Sequence, residues 1–119
     1  MEDHTTDVII DTGAGGVIVS KAFLDLIGWE IELPTKQTLI IADRYTAVPL
    51  GRVRDLPIKF GKLIIPSLAV VVDTTSYNLV IGNDWLTKTK AIIDMGARKM
   101  QVHWKGWKYE IPIDAERGI

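Results

Sequence analysis

The sequence predicts a small all-β domain with two short helices, and three observations carry that prediction. Its apolar residues fall in short, largely β-branched runs such as Val8-Ile9-Ile10, Val17-Ile18-Val19, Leu68 to Val72 and Leu79-Val80-Ile81. Glycine, proline and polar clusters separate these runs at short intervals, as turns between strands require. Helical spacing occurs in only two places, Lys21 to Ile27 and the residues following Gly82.

Taken in order, Val8 to Ile10 is a compact strand that stops at Asp11-Thr12-Gly13, and Gly13, Gly15 and Gly16 then loosen the backbone. Val17 to Val19 resumes strand character. Ser20 caps a helix in which Phe23, Leu24 and Ile27 share a face, and Gly28 stops it. Residues 38–53 read as a hairpin with a polar tip at Ala42-Asp43-Arg44-Tyr45-Thr46. Leu56 to Phe60, a turn at Gly61-Lys62 and Leu63 to Ile65 read as a second hairpin. Leu68 to Val72 and Leu79 to Ile81 are expected to be buried strands. Asn83 or Asp84 is expected to cap a helix running through Thr89. Ala91 to Asp94, Lys99 to Trp104 and Trp107 to Ile113 finish the chain as strands, with turns at Gly96 and Lys105-Gly106.

Composition narrows the chemistry. A chain of 119 residues fits one domain, and 47% hydrophobic residues are enough for a core without disulfides or structural metal. There are no cysteines, which removes thiol catalysis and thiolate metal sites. His4 and His103 are the only histidines, a poor basis for zinc, so neither metal nor cofactor is expected. Fourteen basic against fifteen acidic residues leave no overall charge bias toward nucleic acid or a membrane surface. The apolar runs are too short to span a bilayer, and Met1 to His4 does not resemble a secretory signal. The expectation is a cytoplasmic protein or a domain of an intracellular polyprotein.

Asp11 is the residue that carries chemistry. It sits where an apolar strand gives way to a glycine turn, so rigid backbone holds it on one side and close approach is possible on the other. Two carboxylates close enough to share a proton can hydrolyse a peptide bond, one as base toward water and one as acid toward the carbonyl. Thr12 can brace such a pair through its hydroxyl, and Gly13 lets its amide approach the acid oxygens. Asp-Thr-Gly is also a common turn tripeptide. Val71-Val72-Asp73-Thr74-Thr75 lacks the glycine and Ile92-Ile93-Asp94-Met95-Gly96 lacks the hydroxyl, so Asp73 and Asp94 read as ordinary strand-to-turn aspartates.

The surroundings of Asp11 resemble a family. Val8 to Ala14, Val17 to Ser20 and Phe23 to Gly28 are similar to the active-site loop and first helix of retropepsin-like aspartic proteases. Leu79-Val80-Ile81-Gly82-Asn83-Asp84-Trp85-Leu86 resembles that family's second signature. Ala91 to Asp94 and Lys99 to Val102 resemble its closing strands, and Ala42-Asp43-Arg44, Leu50-Gly51 and Phe60-Gly61 fit the flap and the hairpin after it. The pieces keep family order across residues 7–104, and they resemble the retrotransposon and DNA-damage-inducible-1-like members more than the compact viral enzymes.

The resemblance implies a closed β-barrel of one lobe over residues 1–119, working as a two-fold homodimer. It implies Asp11 as the catalytic residue, Thr12, Gly13 and Ala14 as loop support, and Ile81 and Gly82 as the floor. A substrate-binding flap would span about 38–53, with Ala42, Asp43, Arg44 and Tyr45 over the substrate. Since one chain holds one qualifying motif, the partner's Asp11 would supply the second carboxylate. Trp107 to Ile113 is the candidate interface strand, and it equally suits a hairpin with Lys99 to Trp104. The activity implied is cleavage of extended polypeptide, in the processing of a retroelement polyprotein. The alternative is a protease-like fold kept as a dimerisation or peptide-binding module.

Overall fold

A computed structural model describes residues 5–33 and 49–113. The chain runs β1 (Val8–Ile10), β2 (Val17–Ser20), α1 (Lys21–Leu26), β3 (Pro49–Phe60), β4 (Leu63–Val72), β5 (Leu79–Ile81), α2 (Asn83–Lys88), β6 (Ile92–Asp94), β7 (Lys99–Trp104) and β8 (Trp107–Pro112). The strands form a five-stranded sheet, β1-β5-β2-β4-β3, and a three-stranded sheet, β6-β7-β8. The mostly-β expectation holds. Among the described residues the ladders are those of two sheets, and closure into a barrel is not seen.

One core joins the two sheets. Val17, Val19, Ala69, Val71, Leu79 and Ile81 from the larger sheet pack with Met100, Val102 and Ile111 from the smaller. The helices fill the space between with Phe23, Leu24, Trp85 and Leu86. The opposite face of the large sheet carries a second, smaller cluster of Ala14, Ile18, Val72, Tyr77 and Val80. Alternation along β2 and β5 explains the division, because successive side chains leave opposite faces of a strand.

Helix α1 forms as expected. Ser20 has extended backbone and its Oγ accepts the Phe23 N–H at 3.1 Å, while Gly28, at φ +80, takes the left-handed turn after the helix. Because Ser20 is buried, water cannot replace the cap. Ser20→Ala is therefore expected to cost about 1–2 kcal/mol, read as a lower urea midpoint. An unchanged midpoint would show that the cap contributes nothing.

Two local expectations are corrected. The segment around Val53 and the Leu56–Phe60 hairpin are one long strand pair, β3 with β4. A register shift between Val53 and Leu56 carries the strand past exposed Arg54 and Asp55, whose charges read as a break. Leu68, expected in a buried strand, is exposed on the outer face of β4, while Ala69 and Val71 face the core. The expected turn at Gly96 forms, with Arg98 in the left-handed region. The hairpin tip at Ala42 to Thr46 lies outside the described residues.

The terminal run forms the hairpin, which is compatible with its candidate interface role. β8 pairs antiparallel with β7 from Lys99↔Pro112 to Trp104↔Trp107. Lys105 (φ 51) and Gly106 (φ 82) make the two-residue turn, with both residues in the left-handed region that such hairpins use. On the outer face of this sheet Lys99 pairs with Glu110 at 2.7 Å. That hydrogen bond and charge raise the Lys99 pKa and lower that of Glu110, and both groups are solvent-facing, where such pairs contribute little stability.

Candidate active site

Asp11 follows β1, whose parallel partner is β5, with Ile10 opposite Ile81. The Asp11 N–H donates to the Ile81 carbonyl at 3.0 Å, which extends the ladder one residue into the loop. The Ala14 N–H donates to the Asp11 carbonyl at 3.1 Å and closes a tight turn over Thr12 and Gly13. Within that turn the Gly13 amide donates to Asp11 Oδ1 at 2.8 Å. The backbone thus fixes both ends of the residue, and an amide orients its carboxylate. No hydrogen bond within the described residues engages the other oxygen. Asp11 is half-buried and can meet a substrate.

Ile81 and Gly82, assigned to the floor, run beside the Asp11 loop, and the reason for the glycine is steric. Its φ of −104° is open to any residue, but a Cβ would stand 2.4 Å from the Gly16 carbonyl oxygen and 2.6 Å from that of Ala14. Only hydrogen fits at this crossing.

Gly82, rather than Asn83 or Asp84, is the N-cap of α2, and no side chain caps the helix. Helices leave their first amides unpaired, and here the Asp11 loop takes them. The Asn83 N–H donates to the Ala14 carbonyl and the Asp84 N–H to that of Gly15, each at 2.7 Å. Sequence reasoning missed these two acceptors, since a backbone carbonyl has no residue signature. The glycine at 82, crowded by the loop carbonyls, is the trace they leave.

Ala14 is fully buried in the second apolar cluster, where it anchors the loop from behind. Thr12 is exposed, and its hydroxyl has no hydrogen bond among the described residues. Ala42, Asp43, Arg44 and Tyr45 lie outside the described residues. Asp94 accepts the Ala97 N–H at 3.0 Å in a local turn, and Asp73 lies exposed beyond β4, so the ordinary reading of both fits. Among the described residues, no group of three or more His, Cys, Asp or Glu side chains could hold a metal ion, and no helix is long and apolar enough to cross a membrane.

With this geometry in view, comparison with known proteins is informative. Residues 1–88 match the family model described as "gag-polyprotein putative aspartyl protease". The chain is 24% identical over 99 residues to DNA damage-inducible protein 1 of Yarrowia lipolytica, covering 83% of this chain and 25% of that protein. It is 28% identical over 116 residues to the UBA domain-containing protein Mud1 of Schizosaccharomyces pombe, covering 98% of this chain and 34% of Mud1. It therefore spans about a quarter to a third of the length of these relatives. In fold it is similar to the retroviral protease-like domain of Ddi1 from Leishmania major. The TM-score is 0.71 at 19% identity, covering 96% of this chain and 87% of that one.

Proposed function

The chain belongs to the retropepsin-like aspartyl proteases, and from that premise we propose that it is an aspartic endopeptidase whose active site forms between two copies. The observation that carries this reading is the Asp11 carboxylate, held by the Gly13 amide on one oxygen and uncommitted on the other among the described residues. A two-fold axis beside the loop brings the partner's Asp11 to that free side. The Thr12 hydroxyl, without a hydrogen bond among the described residues, then meets groups across the axis and braces the two loops.

In this arrangement one carboxylate is ionised and the other holds the shared proton. The ionised one takes a proton from water as the water oxygen bonds to the scissile carbonyl carbon. The protonated one gives its proton to the carbonyl oxygen, forming a neutral tetrahedral diol. Transfer of a proton to the amide nitrogen then breaks the C–N bond and releases acid and amine.

The substrate class is extended polypeptide, whose backbone would pair with the flap assigned to 38–53 while alternate side chains enter apolar pockets. The description of the matching family supports processing of a gag-type polyprotein as the role.

The test is a pH–rate profile on a peptide library, with the oligomeric state measured alongside. The rate is expected to peak in the acid range. It falls at lower pH as both carboxyls become protonated, and at higher pH as the shared proton is lost. A flat profile through the acid range contradicts the shared proton. A confirmed dimer without turnover from about pH 4 to 7 selects the binding-module reading instead.

A further inference from the structure

The near-neutral total charge points away from nucleic acid, yet folding gathers lysines and tryptophans at one end of the molecule. The Lys88 ammonium, in the last turn of α2, lies 5.4 Å from the centre of the Trp104 ring. Trp104 faces Trp107 across the β7–β8 turn, and His103 faces Lys108. The His103 N–H donates to the Thr89 carbonyl at 2.7 Å, which brings the residues around Lys90 to the same end. Lys105 stands in the turn itself. Lys88, Lys90 and Lys105 thus stand at the end of the molecule that carries two indole rings, and Lys108 lies at the same end on the opposite face of the hairpin. No aspartate or glutamate occurs between positions 85 and 93 or between 100 and 109, the two segments that build this end.

We infer that this end of the β7–β8 hairpin binds single-stranded nucleic acid, with a base stacked on Trp107 and phosphates on the surrounding lysines. Trp107 is 70% exposed, although it lies on the face of the sheet that further along carries Met100 and Ile111 into the core. An indole left in water at a lysine-bearing hairpin end, with Glu110 on the opposite face and paired with Lys99, is a combination that a base and its phosphates satisfy together. An acidic peptide would answer the lysines alone and leave the ring in water. The surface is also distinct from a strand-pairing interface. Subunits would pair along the free edge of β8, in the plane of the sheet, whereas the indole projects out of that plane.

The experiment measures anisotropy of a fluorescent dT20 oligonucleotide titrated with the whole chain. Anionic phosphatidylserine vesicles and poly-glutamate serve as parallel probes. Binding is expected to weaken steeply with added salt, because phosphate contacts release counterions. Trp107→Ala is expected to lose at least about fivefold in affinity, the low end of one stacked base. Lys105→Glu with Lys108→Glu should lose more, while Arg54→Glu, the same charge reversal on β3, should change little. Melting curves and sedimentation of each variant separate loss of binding from loss of fold or of the dimer. No oligonucleotide binding at low salt overturns the inference. So does binding that the Lys105 and Lys108 reversals leave intact, or tight binding of vesicles or poly-glutamate without the oligonucleotide. Because no arm measures cleavage, the result stands apart from the protease reading.

Discussion

Replacing Asp11 by asparagine is expected to abolish peptide hydrolysis while leaving the dimer and its melting temperature nearly unchanged. The expected loss is at least on the order of 10²–10⁴-fold, the usual size of a general acid–base contribution, since both members of the pair disappear together. The fold should tolerate the change. Asparagine has the same shape, and its side-chain oxygen can still accept the Gly13 amide hydrogen bond now made to Oδ1. Subunit mixing makes a sharper test. If the site lies between copies and needs both carboxylates, replacing wild-type protein by the variant at constant total concentration lowers activity as the square of the wild-type fraction. A linear fall would mean that each chain carries its own complete site, and the inter-subunit reading would be lost.

Gly82→Val is expected to have the second large effect, on stability and activity together. A Cβ at this position overlaps the carbonyl oxygens of Ala14 and Gly16 and stands 2.8 Å from the Gly16 nitrogen. These are backbone atoms, and no flexible side chain can move aside to relieve the contact. Displacing them also breaks the 2.7 Å bonds from Asn83 and Asp84, which leaves first-turn amides of α2 without acceptors. Overpacking alone costs about 1–3 kcal/mol, and the lost hydrogen bonds add to it. Denaturant unfolding checks the first effect and turnover of the folded fraction checks the second. Wild-type stability together with wild-type turnover would show that the crossing is not tight.

These two residues show what the sequence made legible. Asp11 and Gly82 were readable because each stands where a β-branched run ends abruptly, a local pattern. Ser20 and Gly28 bounded α1 for the same reason, since cap and stop are chemistry within a few residues. What could not be read depends on distant backbone. Asn83 and Asp84 have the side chains of helix caps, yet the amides of α2 are taken by carbonyls about 69 residues earlier in the chain. The single long β3–β4 pair was hidden because a register shift puts Arg54 and Asp55 together on the exposed side and interrupts the alternation. The aromatic and basic hairpin end was hidden as well, since its lysines come from two segments that only the fold brings together.

The pairing of β1 with β5 also bears on the order in which the molecule is made. Val8 to Ile10 align with Leu79 to Ile81, and the loop holding Asp11 is clamped by residues 81, 83 and 84. Neighbouring residues can form α1 or the β3–β4 hairpin early, but the catalytic loop must wait for a closure across most of the chain. Such long-range closures are slow because chain entropy is lost before any contact compensates it. During synthesis, Asp11 leaves the ribosome with nothing to hold it, and its geometry arises only after α2 has emerged. On the proposed reading, the centre that activates water therefore takes its geometry only once α2 has formed against the Asp11 loop.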